Sequence, residues 1–286
     1  MHTTLIQPAD LQALLSKGAN VRVFDVSFDL MRPEQGNATY LETHLAGALH
    51  ADINQVLSAK DPREAINGGR HPLPRRERFA AWLASQGVDD ATQVVVYDRN
   101  AMNYCGRLWW MLKWCGHEAV AVLDGGLQAW VAEGGAVRAG TEPAPAPRPF
   151  SLRAPLARLV QTADVAAQLT DAAAQTLIDA RATPRFRGET EPLDPVAGHI
   201  PGALNRPYGL NLTETGKFKS AAVLRQEFEQ LLGQRPAASV VHHCGSGVSA
   251  VPNILAMEIA GLGRTGLYAG SWSEWCTTPG LPCAQG

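Results

Sequence analysis

Cys244 stands in the stretch "SVVHHCGSGVSA", residues 239–250, where a β-rich apolar run enters a loop of glycines and serines. A cysteine reacts as its thiolate, and a helix N-terminus or a nest of backbone amides stabilises that charge. Gly245 and Gly247 let the chain turn around the sulfur, because glycine takes positive φ without steric cost. Ser246 and Ser249 add hydroxyl donors, with Val248 between Gly247 and Ser249. The segment 251–263, "VPNILAMEIAGLG", follows with a helical pattern stopped by glycine. The loop is expected to hold an anionic sulfur, or a group attached to it. The plain alternative is a small buried thiol at a strand end.

Other cysteine chemistries fit less well. A cysteine phosphatase needs an arginine six residues past the nucleophile, and that position is Ala250. A papain-like protease has a local signature that "CGSGVS" lacks. His242, His243 and Cys244 are consecutive on an expected strand, so their side chains alternate faces and do not converge on a metal. No metal is expected.

The elements that must position this loop occur twice. "VRVFDV" (21–26) and "TLIDAR" (176–181) read as buried strands. "HLAGALHADI" from His44 follows the first, and "HIPGALNRPY" from His199 follows the second. "VVVYD" (94–98) pairs with "SVVHHC", and "DGGLQAW" (124–130) pairs with "AGSWSEW" (269–275). Repeated order with shifting offsets indicates two homologous domains rather than a solenoid. Alternating short strands and helical stretches, such as 75–88 and 107–116, indicate α/β domains with largely parallel sheets. In such sheets ligands bind beyond the carboxyl ends of strands, where Cys244 falls. The stretch "GTEPAPAPRPF" holds Pro143, Pro145, Pro147 and Pro149 and reads as a semi-rigid linker. The expected layout is a first domain over 1–140, a linker over 141–150 and a second domain over 151–286.

The first copy has Asp98 where the second has Cys244, and an acid cannot carry a sulfur, so the first domain is read as non-catalytic. Cys105 lies past that position and is read as core, as is Cys115; Trp109, Trp110 and Trp114 read as a core or domain-interface pattern. Cys276 and Cys283 lie near the end, where exposure is expected. His50 and His71 are read as structural or solvated.

Bulk properties set outer limits. The chain has 286 residues, 45% hydrophobic and 18% charged, with net charge −2. That balance argues for no nucleic acid or anionic membrane as partner. No run of about 18 apolar residues occurs, and the N-terminus does not read as a signal peptide. Five cysteines without a C-x-x-C point to reduced thiols in a cytoplasm.

With the repeat, "HIPGALN" after "DAR", "VVVYD…RLWWML…GG…W" and the cysteine loop in hand, nearly the whole chain resembles tandem-domain rhodanese-type sulfurtransferases. The "CGSGV" loop resembles the family's 3-mercaptopyruvate enzymes; its thiosulfate-preferring members carry arginine and lysine where Gly245 and Ser246 stand. The resemblance implies two rhodanese-like domains, each a mainly parallel sheet flanked by helices. It implies a Cys244 persulfide that passes sulfur from 3-mercaptopyruvate to cyanide or a thiol such as thioredoxin or a small thiol, releasing pyruvate without an organic cofactor. Thiosulfate is the second donor. A persulfide carrier that turns over small donors poorly is the alternative of another class.

By the same resemblance Arg185 is the arginine for the donor, Ser246 the loop serine and His44 its first-domain histidine. The family's aspartate falls in "EQGNATYLETH", which offers Asn37 and no Asp. Arg181 and Arg187 are further candidates; Arg181 also reads as a structural partner of Asp179, and Arg187 as a surface arginine. The family often has another arginine after "EP", where this chain has Leu193.

Overall fold

The structure is a computed structural model that describes residues 1–171 and 174–286. It divides into two compact units. The first comprises Met1–Lys60, Pro74–Leu156 and Glu214–Lys217, and the second Asp61–Leu73, Ala157–Thr213 and Phe218–Gly286. Residues 141–150, read as a linker, carry no helix or strand and are counted with the first unit. Glu142 accepts the Gly47 amide at 2.8 Å, and Arg148 pairs with Asp89 at 2.9 Å.

In chain order the first unit holds β1 (Leu5–Ile6), α1 (Pro8–Ser16), β2 (Val21–Asp25), α2 (Glu34–Glu42), β3 (His44–Leu45) and β4 (Leu49–His50). It continues with α3 (Arg76–Ser85), β5 (Gln93–Tyr97), α4 (Cys105–Trp114), β6 (Val120–Leu123), α5 (Gly126–Ala132) and β7 (Val137–Arg138). Five strands form a parallel sheet in the order β1-β6-β5-β2-β4, and β3 pairs with β7 antiparallel. Strands such as "VVVY" are buried throughout, as a parallel sheet covered on both faces requires. Every residue of α4 is buried, including Cys105, Trp109, Trp110 and Trp114. Gly87 after α3 and Gly116 after α4 have φ of 70° and 83°, the left-handed endings that favour glycine.

The second unit holds β8 (Arg158–Val160), α6 (Thr162–Ala167), β9 (Thr176–Asp179), α7 (Thr183–Arg187), β10 (Leu204–Asn205) and α8 (Ala221–Leu232). It ends with β11 (Val240–His243), α9 (Val251–Ile259), β12 (Gly266–Tyr268) and α10 (Ser271–Trp275). Its sheet order is β10-β9-β11-β12-β8, all parallel. Position by position this repeats the first sheet, with β11 in the place of β5 and β9 in the place of β2. Its core gathers Val165, Ile178, Ile200, Val241, Tyr268, Trp272 and Trp275. Among the described residues no helix is long and apolar enough to cross a membrane.

Candidate active site

β11 lies between β9 and β12 at the middle of its sheet, and all four of its residues are buried. The chain leaves it at Cys244, whose own accessibility is 2%. The start of α10 fixes this exit. The Cys244 amide donates to Ser271 Oγ at 3.1 Å, and the Trp272 and Ser273 amides donate to the Cys244 and Gly245 carbonyls at 3.0 and 2.9 Å. Ser271 has a φ of 56°, an uncommon conformation for a side-chain-bearing residue. Gly247 must be glycine twice over: its φ is 72°, and a Cβ there would stand 2.3 Å from the Ala269 carbonyl oxygen.

The amides of Gly245, Ser246, Val248 and Ser249 donate to no acceptor among the described residues. Buried amides do not normally go unpaired, and a loop of such donors behind a thiol has the geometry to hold an anion. The first unit shows the same device already occupied. After β5 the chain wraps around Asp98, whose carboxylate accepts the amides of Asn100, Met102, Tyr104 and Cys105 at 2.8 to 2.9 Å.

Ser246 Oγ lies 2.7 Å from His71 Nδ1. His71, for which the sequence suggests a structural or solvated role, is buried and belongs to 61–73, the segment that folds with the second unit. That segment is seated on α10, where the Arg70 amide donates to Ser273 Oγ at 3.0 Å. A Cβ on Gly69, whose φ is 84°, would meet the Gly270 oxygen and Ser273 Oγ at 2.7 Å. His44, the histidine carried by resemblance, has other work. It is buried against the Tyr40 ring, with Nδ1 2.8 Å from the Tyr40 carbonyl and Nε2 3.3 Å from Glu142. Asn37 lines a surface pocket of the first unit with Glu34, His50 and Asp52.

The arginines divide by their partners. Arg185, on α7, contacts Glu191 at 2.6 Å and Asp194 at 3.3 Å. Arg70 contacts the other Asp194 oxygen at 2.6 Å. Both guanidinium groups approach the loop: a Cβ on Gly245 would lie 3.0 Å from Arg70 Nη2 and 3.6 Å from Arg185 Nη1. Both Nε atoms are buried and, among the described residues, donate to nothing. Arg181 instead grips Asp179 with contacts of 2.7 to 3.2 Å, reaches the Gly198 carbonyl at 2.6 Å and lies over the Trp272 ring. Burial opposes its charge, yet Asp179, Glu191 and Cys244 leave its pKa above the ordinary guanidinium value. Asp179 stays below the usual carboxylate range despite its burial. The groups that hold it there are His243 first and Arg181 second, while burial pushes His243 itself down. Arg187 is exposed, 3.7 Å from Glu189.

Burial raises the pKa of Cys105, Cys115, Cys276 and Cys283. It lifts Cys105 well above its usual value, with Asp98 adding to the effect. It takes Cys115 and Cys276 to about 11 and raises Cys283.

The rhodanese-like domain model matches twice, over residues 7–133 and 162–278. A Pseudomonas aeruginosa protein described as a probable 3-mercaptopyruvate sulfurtransferase is 43% identical, covering 99% of this chain and 98% of its own. Bovine thiosulfate sulfurtransferase is 34% identical over 90% of this chain and 86% of its own. The crystal structure of SseA from Escherichia coli, reported with the rhodanese fold and mechanism of 3-mercaptopyruvate sulfotransferases, is 29% identical. It superposes with a TM-score of 0.80, covering 96% of this chain and all of SseA. Two matched domains and full-length relatives agree with the doubled sheet and the cysteine loop: this chain belongs to the rhodanese family of sulfurtransferases.

Proposed function

We propose that the chain moves sulfane sulfur from 3-mercaptopyruvate to a thiol or cyanide through a persulfide on Cys244. The observation that carries this reading is the set of unspent amides around Cys244 in a loop with no charged side chain. The Cys244 thiolate attacks the donor's sulfur, the sulfur–carbon bond breaks, and its electron pair leaves on the enolate of pyruvate, which then takes a proton. The loop amides stabilise the anionic persulfide, as an oxyanion hole stabilises oxygen charge. Ser246, held by His71, donates to the donor's carbonyl oxygen while enolate charge builds there. An acceptor thiolate or cyanide then attacks the outer sulfur and frees the Cys244 thiolate, so the difficult transfer is divided into two steps.

The donor's carboxylate needs cations away from the sulfur. Arg185 and Arg70 supply them beside Gly245, and Arg70 takes the duty that the family's arginine at the Leu193 position would have. A planar guanidinium suits a carboxylate through paired hydrogen bonds. Doubly anionic thiosulfate would gain more from charge next to the sulfur, where Ser246, Gly247 and Val248 offer none. Thioredoxin or a small thiol is the proposed acceptor, a reducing cytoplasm the proposed compartment, and no organic cofactor, metal, nucleic acid or membrane takes part. The five cysteines, all unpaired, suit that compartment.

The test compares kcat/KM for 3-mercaptopyruvate and thiosulfate with one shared acceptor, and weighs the protein for one added sulfur on Cys244. A marked preference for mercaptopyruvate with the mass increment is expected. A preference for thiosulfate removes the donor assignment. A mass increment delivered only by a protein partner, with little turnover of either donor, makes the chain a carrier.

A further inference from the structure

Glu191 and Asp194, the carboxylates that hold Arg185 and Arg70, lie on a loop that leaves α7 at Gly188 and returns at Gly198. Glu191 organises the loop from within, accepting the amides of Leu193 and Asp194 at 3.0 and 3.2 Å while it pairs with Arg181 and Arg185. The neck of the loop is narrow: a Cβ on Gly188 would stand 3.2 Å from the Gly198 nitrogen. From the core side Trp272 Nε1 donates to the Val196 carbonyl at 2.9 Å, and Arg181 reaches the Gly198 carbonyl.

The outer side of the neck is covered by the segment 282–286. Ala284 and His199 exchange both backbone hydrogen bonds, at 2.8 and 3.0 Å, as an antiparallel bridge. Gln285 Nε2 donates to the Ala197 carbonyl at 3.1 Å, and the Gly286 amide donates to the Arg187 carbonyl at 3.0 Å. The segment is itself tied back to α10, with Trp275 Nε1 donating to the Pro282 carbonyl at 2.8 Å. The fit leaves no spare volume. A Cβ on Gly198 would stand 2.1 Å from the Ala284 oxygen, and one on Gly188 2.9 Å from Gln285 Cγ.

We propose that residues 282–286 are a clamp that closes the neck of the 188–198 loop and thereby positions the guanidinium groups that receive the donor's carboxylate. This rests on the reading of Arg185 and Arg70 as that carboxylate's site. The clamp touches neither donor nor sulfur; it acts through Glu191 and Asp194, whose placement sets where the guanidinium donors point. Small displacements of such groups weaken the hold on the carboxylate, because paired hydrogen bonds from a guanidinium depend on its orientation.

The test uses two donors that differ only in the charged group: 3-mercaptopyruvate, and mercaptoacetone, which has the same thiol and ketone but a methyl in place of the carboxylate. Ala284→Pro removes one bond of the bridge and opposes strand pairing. Gln285→Ala removes the side-chain contact, and deletion of residues 283–286 removes the clamp. Ala284→Pro is expected to raise KM for mercaptopyruvate by about tenfold, with kcat and mercaptoacetone turnover within about twofold of the parent. Gln285→Ala is expected to act in the same direction and less. If the deletion fails to fold, the two point variants carry the test. Unchanged KM for mercaptopyruvate in both point variants, or an equal fall for both donors, overturns the clamp. Arg185→Ala in the same assay separates the two layers. If it too is silent towards the carboxylate, the arginine site itself is wrong and the clamp falls with it.

Discussion

Cys244 is set apart from the other four cysteines by what its backbone offers: Cys105 and Cys115 are buried, Cys276 is half-buried and Cys283 exposed, while Cys244 alone of the five opens a loop of amides that donate to no acceptor among the described residues. Cys244→Ser is expected to abolish turnover with every donor, because an alcohol does not carry sulfane sulfur; retained activity would refute the persulfide. His71→Ala should lower kcat for mercaptopyruvate about 100-fold, the usual scale for losing a group that aids proton movement. Thiosulfate has no carbonyl for Ser246 to polarise, so its rate should change little. Equal losses on both donors would make His71 a packing residue. Arg70→Lys keeps the charge and loses the fork. It is expected to weaken mercaptopyruvate use by less than Arg70→Ala, as read by KM.

At the scale of elements, much was legible because it is local. The apolar strands, the glycines that end α3, α4 and α9, and the Cys-Gly-Ser-Gly-Val-Ser turn all lie within a few residues of what they determine. Loop glycines also show which of them a side chain would break. Gly247→Ala would force a left-handed conformation and drive a methyl into the Ala269 carbonyl. It is expected to cost about 1–3 kcal/mol of stability and most of the turnover, measured by thermal unfolding and kcat together. The partner of Ser246 was not legible. "GGRHPLP" reads as a polar turn, and nothing in it says that His71 will meet a serine 175 positions away. The resemblance offered His44, but that imidazole is consumed by Tyr40 and Glu142. The sequence signal that could have found His71 is the pair Gly68–Gly69 ahead of an arginine and a histidine, glycines that mark a close approach, of the Glu274 side chain at Gly68 and of the Gly270 backbone at Gly69.

At the scale of the whole molecule, the doubling of the chain is plain in the sequence, while the exchange between the copies is not. Residues 61–73 fold with the second unit, and 214–217 with the first. The first assignment is decided by contacts far apart in sequence, such as the Arg70 amide on Ser273 Oγ. Gly69→Ala tests that assignment, because its methyl would strike Gly270 and Ser273. Turnover of mercaptopyruvate is expected to fall with His71 and Arg70 displaced, while mass analysis still finds Cys244 able to accept sulfur. Full activity in this variant would show that the seat on α10 is not needed. Asp98 carries a last consequence. Duplication left two copies of one anion-holding turn, and in the first a genetically encoded carboxylate occupies it for the life of the protein. In the second, on the proposed mechanism, the occupant would arrive and depart with each catalytic cycle. The first copy thus shows, with a carboxylate that never leaves, how the backbone amides of a turn after the equivalent strand close on an anion.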